Sequence, residues 1–353
     1  MKDYFKKPYF YGMILVTGGT GLVGAHLLYA LLQKHQRVRA THRASSDLLA
    51  VKKVFSFYTE KTDSLFLKIE WVEANITQIP ALTLAFKDIT KVYHCAAFIS
   101  FNPKKYPALK KANIEGTANV VNLCLANHIQ KLCYVSSIAA LGKTLDGSPI
   151  TEETNWNPEE KNNVYSITKF GAEMEVWRGI QEGLNAVIVN PGVILGSGFW
   201  NSGSGTIIKR AAKGNSYYTH GRSGFVDVKD VVRAMIQLME GEWSNQRYLL
   251  VGENIFYKDL FQTMAGYFGN KPPTKAIVKG TLLFFCYMDA LFSFLFRSKR
   301  KLLRSMVSSM YNTPLYDATK IKLELGFQFT PSTETLKRVV KNYSSLSSTG
   351  SNN

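Results

Sequence analysis

Tyr165 and Lys169 stand in the segment Tyr165-Ser166-Ile167-Thr168-Lys169, where one turn of helix would bring both side chains to the same face. A phenol titrates near pH 10 (about 10 in model peptides) and is a weak acid–base group at neutral pH. An ammonium beside it favours the phenolate, so the pair has the makings of a proton donor tuned by a neighbouring cation. Taken alone, this spacing arises by chance in many chains. A further element strengthens it: Tyr134-Val135-Ser136-Ser137-Ile138-Ala139-Ala140-Leu141-Gly142 reads as a strand ending in hydroxyls. Ligands of parallel sheets gather at such carboxyl ends. Ser137 would orient a carbonyl group there, with Ser136 as the alternative. A single serine at this place would ordinarily be a helix cap or turn residue.

Upstream lies a glycine-rich turn, Thr17-Gly18-Gly19-Thr20-Gly21-Leu22-Val23-Gly24, directly after the apolar run Met13–Thr17. Gly18 would permit a tight strand-to-helix turn, Gly21 a close approach of backbone to a pyrophosphate, and Gly24 close packing of helix on sheet. Free N–H groups and a partial positive charge at the helix start would receive the phosphates. The glycine spacing differs from the commonest dinucleotide fingerprint. No Lys-Ser or Lys-Thr follows, which disfavours a P-loop. At the end of the second strand an acid would bond adenosine ribose hydroxyls, whereas an arginine would pair with a 2′-phosphate. The chain has Arg39-Ala40-Thr41-His42-Arg43 with no acid before Asp47. NADP is therefore preferred over NAD as cofactor, with Arg43 its contact.

These groups need a scaffold, and the first half supplies one by alternating short apolar runs with helical patterns. That rhythm predicts an α/β fold, a Rossmann-type doubly wound parallel sheet. Strands are expected at Met13–Thr17, Arg37–His42, Phe66–Val72, Lys91–Cys95, Lys131–Ser136 and Ala186–Asn190, with helices over Leu22–Lys34, Ala108–Asn127 and Tyr165–Glu182. Residues 13–195 form the dinucleotide-binding domain. Residues 225–255 return to it, through a strand-then-helix pattern at Phe225–Glu240 and a strand at Tyr248–Val251. Residues 196–224 and 256–343 form a smaller, mostly helical C-terminal substrate lobe. Residues 344–353, rich in serine, read as a flexible tail. Residues 1–12 read as an extension without the apolar core of a secretory signal, and Met13 competes with Met1 as the native start.

Composition narrows the partners. The 353 residues are 46% hydrophobic and 20% charged, ordinary for a folded chain, but 43 basic against 26 acidic side chains give +17. Such a field favours anionic partners. The basic residues are scattered without a nucleic-acid-binding motif, so no nucleic acid is expected. Cys95, Cys124, Cys133 and Cys286 have no metal-like spacing, so no metal is expected, and the chain reads as reduced and cytoplasmic.

With these motifs in order, the chain resembles the extended branch of the short-chain dehydrogenase/reductase superfamily. The resemblance rests on Thr17–Gly24, Ser137, Tyr165 and Lys169, on His94-Cys95-Ala96-Ala97, and on Asn113-Ile114-Glu115-Gly116-Thr117-Ala118-Asn119-Val120. It continues through Asn190-Pro191-Gly192-Val193, Gly224–Val231 and Tyr316–Phe327. It implies Tyr165 as proton donor or acceptor and Lys169 as the group that holds the nicotinamide ribose and lowers the tyrosine pKa. Ser137 would orient the carbonyl, and Asn113 would support the proton relay. The cofactor would be lined by Thr17, Gly18, Thr20, Gly21, Leu22, Val23, Gly24, Ala96, Ala97, Pro191, Gly192 and Val193. Asn75 and Ile76, standing where the family often has an acid, would line the adenine.

Within the branch, Arg43 and the segment Gly221–Val228 look more like dihydroflavonol-reductase-like and hydroxysteroid-dehydrogenase-like members than like sugar-nucleotide enzymes. An NADPH-dependent carbonyl reductase acting on an apolar small molecule is expected. The alternatives are a nucleotide-sugar epimerase or dehydratase with retained NAD, and a non-catalytic NADP-binding regulator. Retention of both Tyr165 and Lys169 argues against the regulator. The family's habit of dimerising makes a homodimer an implication of the resemblance. The apolar stretch Leu282–Phe296, followed by Arg297-Ser298-Lys299-Arg300-Lys301, is shorter than the roughly 20 residues of a spanning helix. It reads first as a lobe helix over the substrate. A sharper reading makes it an interfacial helix in peripheral contact with an anionic membrane.

Overall fold

Uninterrupted apolar runs decide the centre of this molecule, because a strand buried on both faces has no use for alternation. All five residues of β1 (Met13–Thr17) are buried. The other strands, in a computed structural model, are β2 (Val38–His42), β3 (Ile69–Glu73), β4 (Ile89–His94), β5 (Lys131–Val135), β6 (Ala186–Pro191), β7 (Val193–Leu195), β8 (Tyr217–Tyr218), β9 (Arg222–Asp227), β10 (Gln246–Leu250), β11 (Glu253–Phe256) and β12 (Lys275–Ala276). The structure describes residues 12–349 except 35, 36, 145, 297, 299 and 301, so the extension before Gly12 and the choice of start lie outside the described residues.

The central sheet has seven strands in the order β10-β6-β5-β4-β1-β2-β3. Every neighbouring pair runs parallel. This is a Rossmann-type α/β fold. The strand order reverses between β1 and β4, which opens a crevice at their carboxyl ends. Successive β1 residues feed opposite layers. Ile14 and Val16 pack with Leu28, Leu31, Met235 and Leu238 from the Leu22–Gln33 and Val228–Glu240 helices. Met13 and Leu15 pack with Val120, Val121, Ala172 and Val176 from the Gly116–Ala126 and Val164–Gln181 helices.

A third core holds the smaller lobe, where Leu195, Ile208, Phe225, Leu260, Met264 and Val339 meet. Its sheet has the order β11-β9-β7, with β9 antiparallel to β11 and parallel to β7. Of the span 225–255, expected to return to the dinucleotide-binding domain, the helix at Val228–Glu240 packs on the large sheet and β10 joins it, while the strand at 222–227 joins the small sheet. Local apolar patterning does not say which sheet a strand joins.

Two helices also differ from expectation. The span Ala108–Asn127 is broken into a short helix at Tyr106–Leu109, a π-turn at Lys110–Glu115 and a regular helix at Gly116–Ala126. The C-terminal helix Ser332–Thr349 runs on beyond Ser344, into the segment read as a tail.

Candidate active site

The glycine turn closes on itself before the helix begins. Gly21 N–H donates to Gly18 O at 3.0 Å, and Ala25 N–H donates to Gly21 O at 2.9 Å. Gly18 has φ +71°, and a Cβ there would lie 2.6 Å from the Ala96 backbone, so the turn presses against the end of β4. A Cβ on Gly24 would lie 2.2 Å from Gly18 O, so its lack of a side chain serves the turn rather than helix-on-sheet packing. Gly21 is different. An added Cβ would meet only Gly18 O at 3.4 Å, an ordinary contact, so the fold itself does not demand glycine there. Gly21 begins the Leu22–Gln33 helix without a side-chain cap, and the first turn has no acid. A bare, uncapped helix start is suited to a phosphate group.

The strand-end groups meet this turn. Thr20 Oγ1 donates to Ser46 Oγ at 3.3 Å, and Arg43 N–H donates to the same hydroxyl at 3.0 Å. The Arg43 side chain is exposed beside the turn. Asp47 accepts from Ala50 N–H as the cap of the next helix. Arg39, the other basic residue of that run, is buried and ion-paired to Glu70 at 2.7 Å. Asn75 accepts from Thr77 N–H and Oγ1, and Ile76 O accepts from Asn119 Nδ2 at 2.9 Å, which fastens this corner to the Gly116–Ala126 helix. Ala97 follows Ala96 at the mouth of β4. Pro191 ends β6, Gly192 N–H donates to Leu250 O at 3.0 Å, and Val193 starts β7.

At the catalytic end, Asn163 caps the Val164–Gln181 helix by accepting from Ser166 N–H. That cap sets the phase that turns Tyr165 and Lys169 toward the crevice. The Ser137 hydroxyl lies on the Tyr165 side of the crevice, where it favours the phenolate. It also accepts from Ala139 N–H at 3.1 Å, so it caps the following turn as well. Ser136 is buried and donates to Glu173 Oε2 at 2.6 Å. The two serines are thus sorted by their partners. Phe101 sets its ring edge to face against Tyr165 at 5.5 Å.

The relation between Tyr165 and Lys169 is not the simple one drawn from their spacing. The Lys169 ammonium donates to Tyr134 Oη at 2.7 Å and to Val135 O at 2.9 Å. Burial pulls its pKa down to about 7, with Glu173 acting in the opposite sense. Burial also pushes Tyr165 up to about 12, and the Ser137 hydroxyl only partly offsets this. The expectation that Lys169 holds the tyrosine below its ordinary value is therefore corrected for the free protein. Desolvation outweighs the charge effect in both groups.

Asn113 lies in the π-turn, where an extra residue re-aims a side chain. It clamps the loop after β4. Asn113 Oδ1 accepts from Phe98 N–H at 2.7 Å, and Nδ2 donates to Phe98 O at 3.0 Å and Thr168 Oγ1 at 3.1 Å. These contacts position the loop and the helix rather than touch Lys169.

Three buried neighbours were given no role by the sequence reading, although His94 and Asn190 stand in its motifs. Glu173 is fully buried, accepting from Ser136, Asn190 Nδ2 at 2.8 Å and Arg247 at 3.0 Å. Asn190 Nδ2 also donates to Ser137 O at 3.1 Å, while its Oδ1 is buried without a partner. His94 bridges Thr17 Oγ1 at 2.6 Å and Thr117 Oγ1 at 3.0 Å, and burial drops its pKa to about 3. Glu173 had a visible signal, since it continues the Tyr165–Lys169 face by one more turn.

Residues 14–250 match the NAD dependent epimerase/dehydratase family. Among relatives, a Synechocystis sp. protein provisionally described as a dihydroflavonol 4-reductase is 29% identical over 88% of both chains. Sterol demethylase protein B of Methylococcus capsulatus is 29% identical over 74% of this chain and 76% of its own. Cinnamoyl-CoA reductase 1 of Oryza sativa is 25% identical over 74% of this chain and 78% of its own. Among solved structures, gox2253 superposes with a TM-score of 0.79 at 27% identity, covering 95% of this chain and 98% of its own. UDP-glucose 4-epimerase of Thermotoga maritima gives 0.74 at 20% identity over 95% and 99%, a likeness of fold. The chain belongs to the NAD dependent epimerase/dehydratase family, the extended short-chain dehydrogenase/reductases, and is an NAD(P)-dependent enzyme of that group.

Proposed function

We propose, with that membership as premise, that this chain is an NADPH-dependent reductase that converts an aldehyde or ketone to an alcohol. The observation that carries the reading is the trio of Ser137, just past the carboxyl end of β5, with Tyr165 and buried Lys169 in the first turns of the Val164–Gln181 helix. The bare, uncapped helix start at Gly21 fits a dinucleotide pyrophosphate. The second ligand-facing edge, Ala96, Ala97 and Pro191–Val193, would flank the nicotinamide, and Lys169 would bond its ribose with an N–H not used on Tyr134 or Val135. The bound cofactor supplies the hydride. Tyr165 supplies the proton, its O–H donating to the carbonyl oxygen that Ser137 orients. Proton donation needs the neutral phenol, the form that burial favours. Two of the relatives carry the names of reductases, which supports this chemistry over epimerisation. The test is NADPH and NADH oxidation against aldehydes, ketones and nucleotide sugars. Turnover of nucleotide sugars alone would overturn it.

Arg43 supports the preference for NADP, because it is exposed beside the turn while Asp47 is spent as a helix cap. Arg43→Asp should weaken NADPH binding by about thirtyfold, the worth of roughly 2 kcal/mol for a charge-assisted hydrogen bond. NADH should change by less than about threefold, since no 2′-phosphate is involved. Fluorescence titration of both cofactors reads this directly, and equal weakening would remove the case for NADP.

The pH profile follows from Lys169. Its ammonium is lost as pH rises through about 7 in the free enzyme, and with it a cation that would hold the ribose and support the developing phenolate. The kcat/KM for NADPH reports free-enzyme groups, so it should fall as pH rises above about 7. Lys169→Arg keeps the charge and should flatten that limb at a lower absolute rate. A limb that stays in place in the variant would assign it to another group.

A further inference from the structure

One helix of the lobe is built unlike the others. Lys279–Leu295 runs for 17 residues, and Cys286 is its one buried member. Phe284, Tyr287, Leu291 and Phe294 recur at helical spacing and are 59%, 60%, 50% and 82% exposed. The opposite side is fastened down. Cys286 Sγ donates to Leu302 O at 3.4 Å, Leu302 N–H donates to Asp289 Oδ2 at 3.1 Å, and Arg300 sits 4.0 Å from the same carboxylate. The helix's one acid is thereby turned to a cation of its own strap and away from the aromatic face.

The chemistry of what would cover that face is set by its surroundings. The sequence directly after the helix carries Arg297, Lys299, Arg300, Lys301 and Arg304 without an acid. An aromatic and aliphatic stripe whose helix is followed in sequence by a run of cations, Arg300 among them being turned to Asp289, fits an anionic lipid surface. No helix among the described residues is long and apolar enough to cross a membrane, so this one would lie along the surface.

The same hairpin reaches the catalytic crevice. The Arg304–Ser309 helix packs on the apolar one, and Ser305 Oγ donates to Phe101 O at 3.4 Å. Phe101 is the ring that meets Tyr165. Lys104 and Lys105, in the short 3-10 turn just after Phe101, are exposed cations as well. We infer that the Lys279–Leu295 helix docks on an anionic phospholipid membrane and that the substrate is a membrane-dissolved, apolar carbonyl compound entering past Phe101. The docking stands on the helix alone, while the substrate class rests on the reductase reading.

The experiment uses full-length protein with vesicles of phosphatidylcholine, with and without 30% phosphatidylglycerol (roughly the anionic range over which basic clusters bind). Wild type should sediment with the anionic vesicles and be released by salt. Leu291→Glu/Phe294→Glu should reduce binding at least about tenfold, both positions being exposed and so neutral to folding. Lys299→Gln/Lys301→Gln should reduce it by about fivefold per lysine. NADPH oxidation is followed with hexadecanal in the vesicles and benzaldehyde in water; the glutamate variant should lose the first and keep the second. Equal sedimentation with neutral vesicles, or unchanged binding by the glutamate variant, overturns the docking. So does a wild-type dimer that this variant splits, since a second copy then covers the face. Reduction of benzaldehyde but not hexadecanal overturns the substrate class. If neither aldehyde consumes NADPH, the reductase reading fails, while vesicle binding still decides the docking.

Discussion

Tyr165→Phe will lower kcat by about 10²- to 10⁴-fold, the range that a positioned proton donor contributes. The ring keeps its place, because the edge-to-face contact with Phe101 and the helix cap at Asn163 do not involve the hydroxyl. What disappears is the O–H that would donate to the carbonyl. NADPH affinity should stay within about twofold, since the Gly21 helix start and Lys169 are untouched. Stopped-flow reduction and cofactor titration on one protein preparation separate the two quantities. Normal turnover in the variant would remove Tyr165 from the proton path. Loss of NADPH affinity in step with kcat would mean that the ring, not the hydroxyl, does the work. Ser137→Ala should give a smaller loss in the same direction, as the residue orients the carbonyl without supplying the proton.

The legibility of this chain followed burial. β1 occupies the very residues, Met13–Thr17, that an unbroken apolar run marks out, because a central parallel strand is covered on both faces. The glycine turn was legible too, since a left-handed Gly18 and a Gly24 pressed to the turn leave no other residue type workable. The π-turn at Lys110–Glu115 left no trace in the sequence, as its residues would suit an ordinary helix and only tertiary packing selects the extra residue. Assignment of β9 to the small sheet depended on partners at β7 and β11, which no local pattern encodes. The site was readable by residue type but not by electrostatics. The spacing of Tyr165 and Lys169 predicts a shared face, whereas the Tyr134 hydroxyl that takes the ammonium comes from a strand 35 residues earlier. Desolvation, the largest influence on both groups, is a property of the folded interior and cannot be read from spacing.

Arg247→Ala is the expected large loss of stability, about 3–5 kcal/mol, because it strands a buried carboxylate. Glu173 is fully buried, and Arg247 is its cationic partner at 3.0 Å. Ser136 and Asn190 donate to its Oε2, but neutral donors cannot replace a cation in an interior of low dielectric. Arg247 also donates to Glu152 O at 2.7 Å, so the truncation loosens the loop before the catalytic helix as well. The urea midpoint, read by tryptophan fluorescence, should fall sharply. Adding Glu173→Gln to Arg247→Ala should restore a good part of it, since an amide leaves no unpaired charge. Additive losses in the double variant would show that the two side chains are not coupled. The single variant Glu173→Gln carries a catalytic signature as well. Glu173 is the group that holds the Lys169 pKa up against burial, so its neutralisation should move the descending limb of kcat/KM below about pH 7. That displacement would tie the buried ion pair to the proton chemistry through a measured pKa, which a merely structural role for Glu173 would leave where it was.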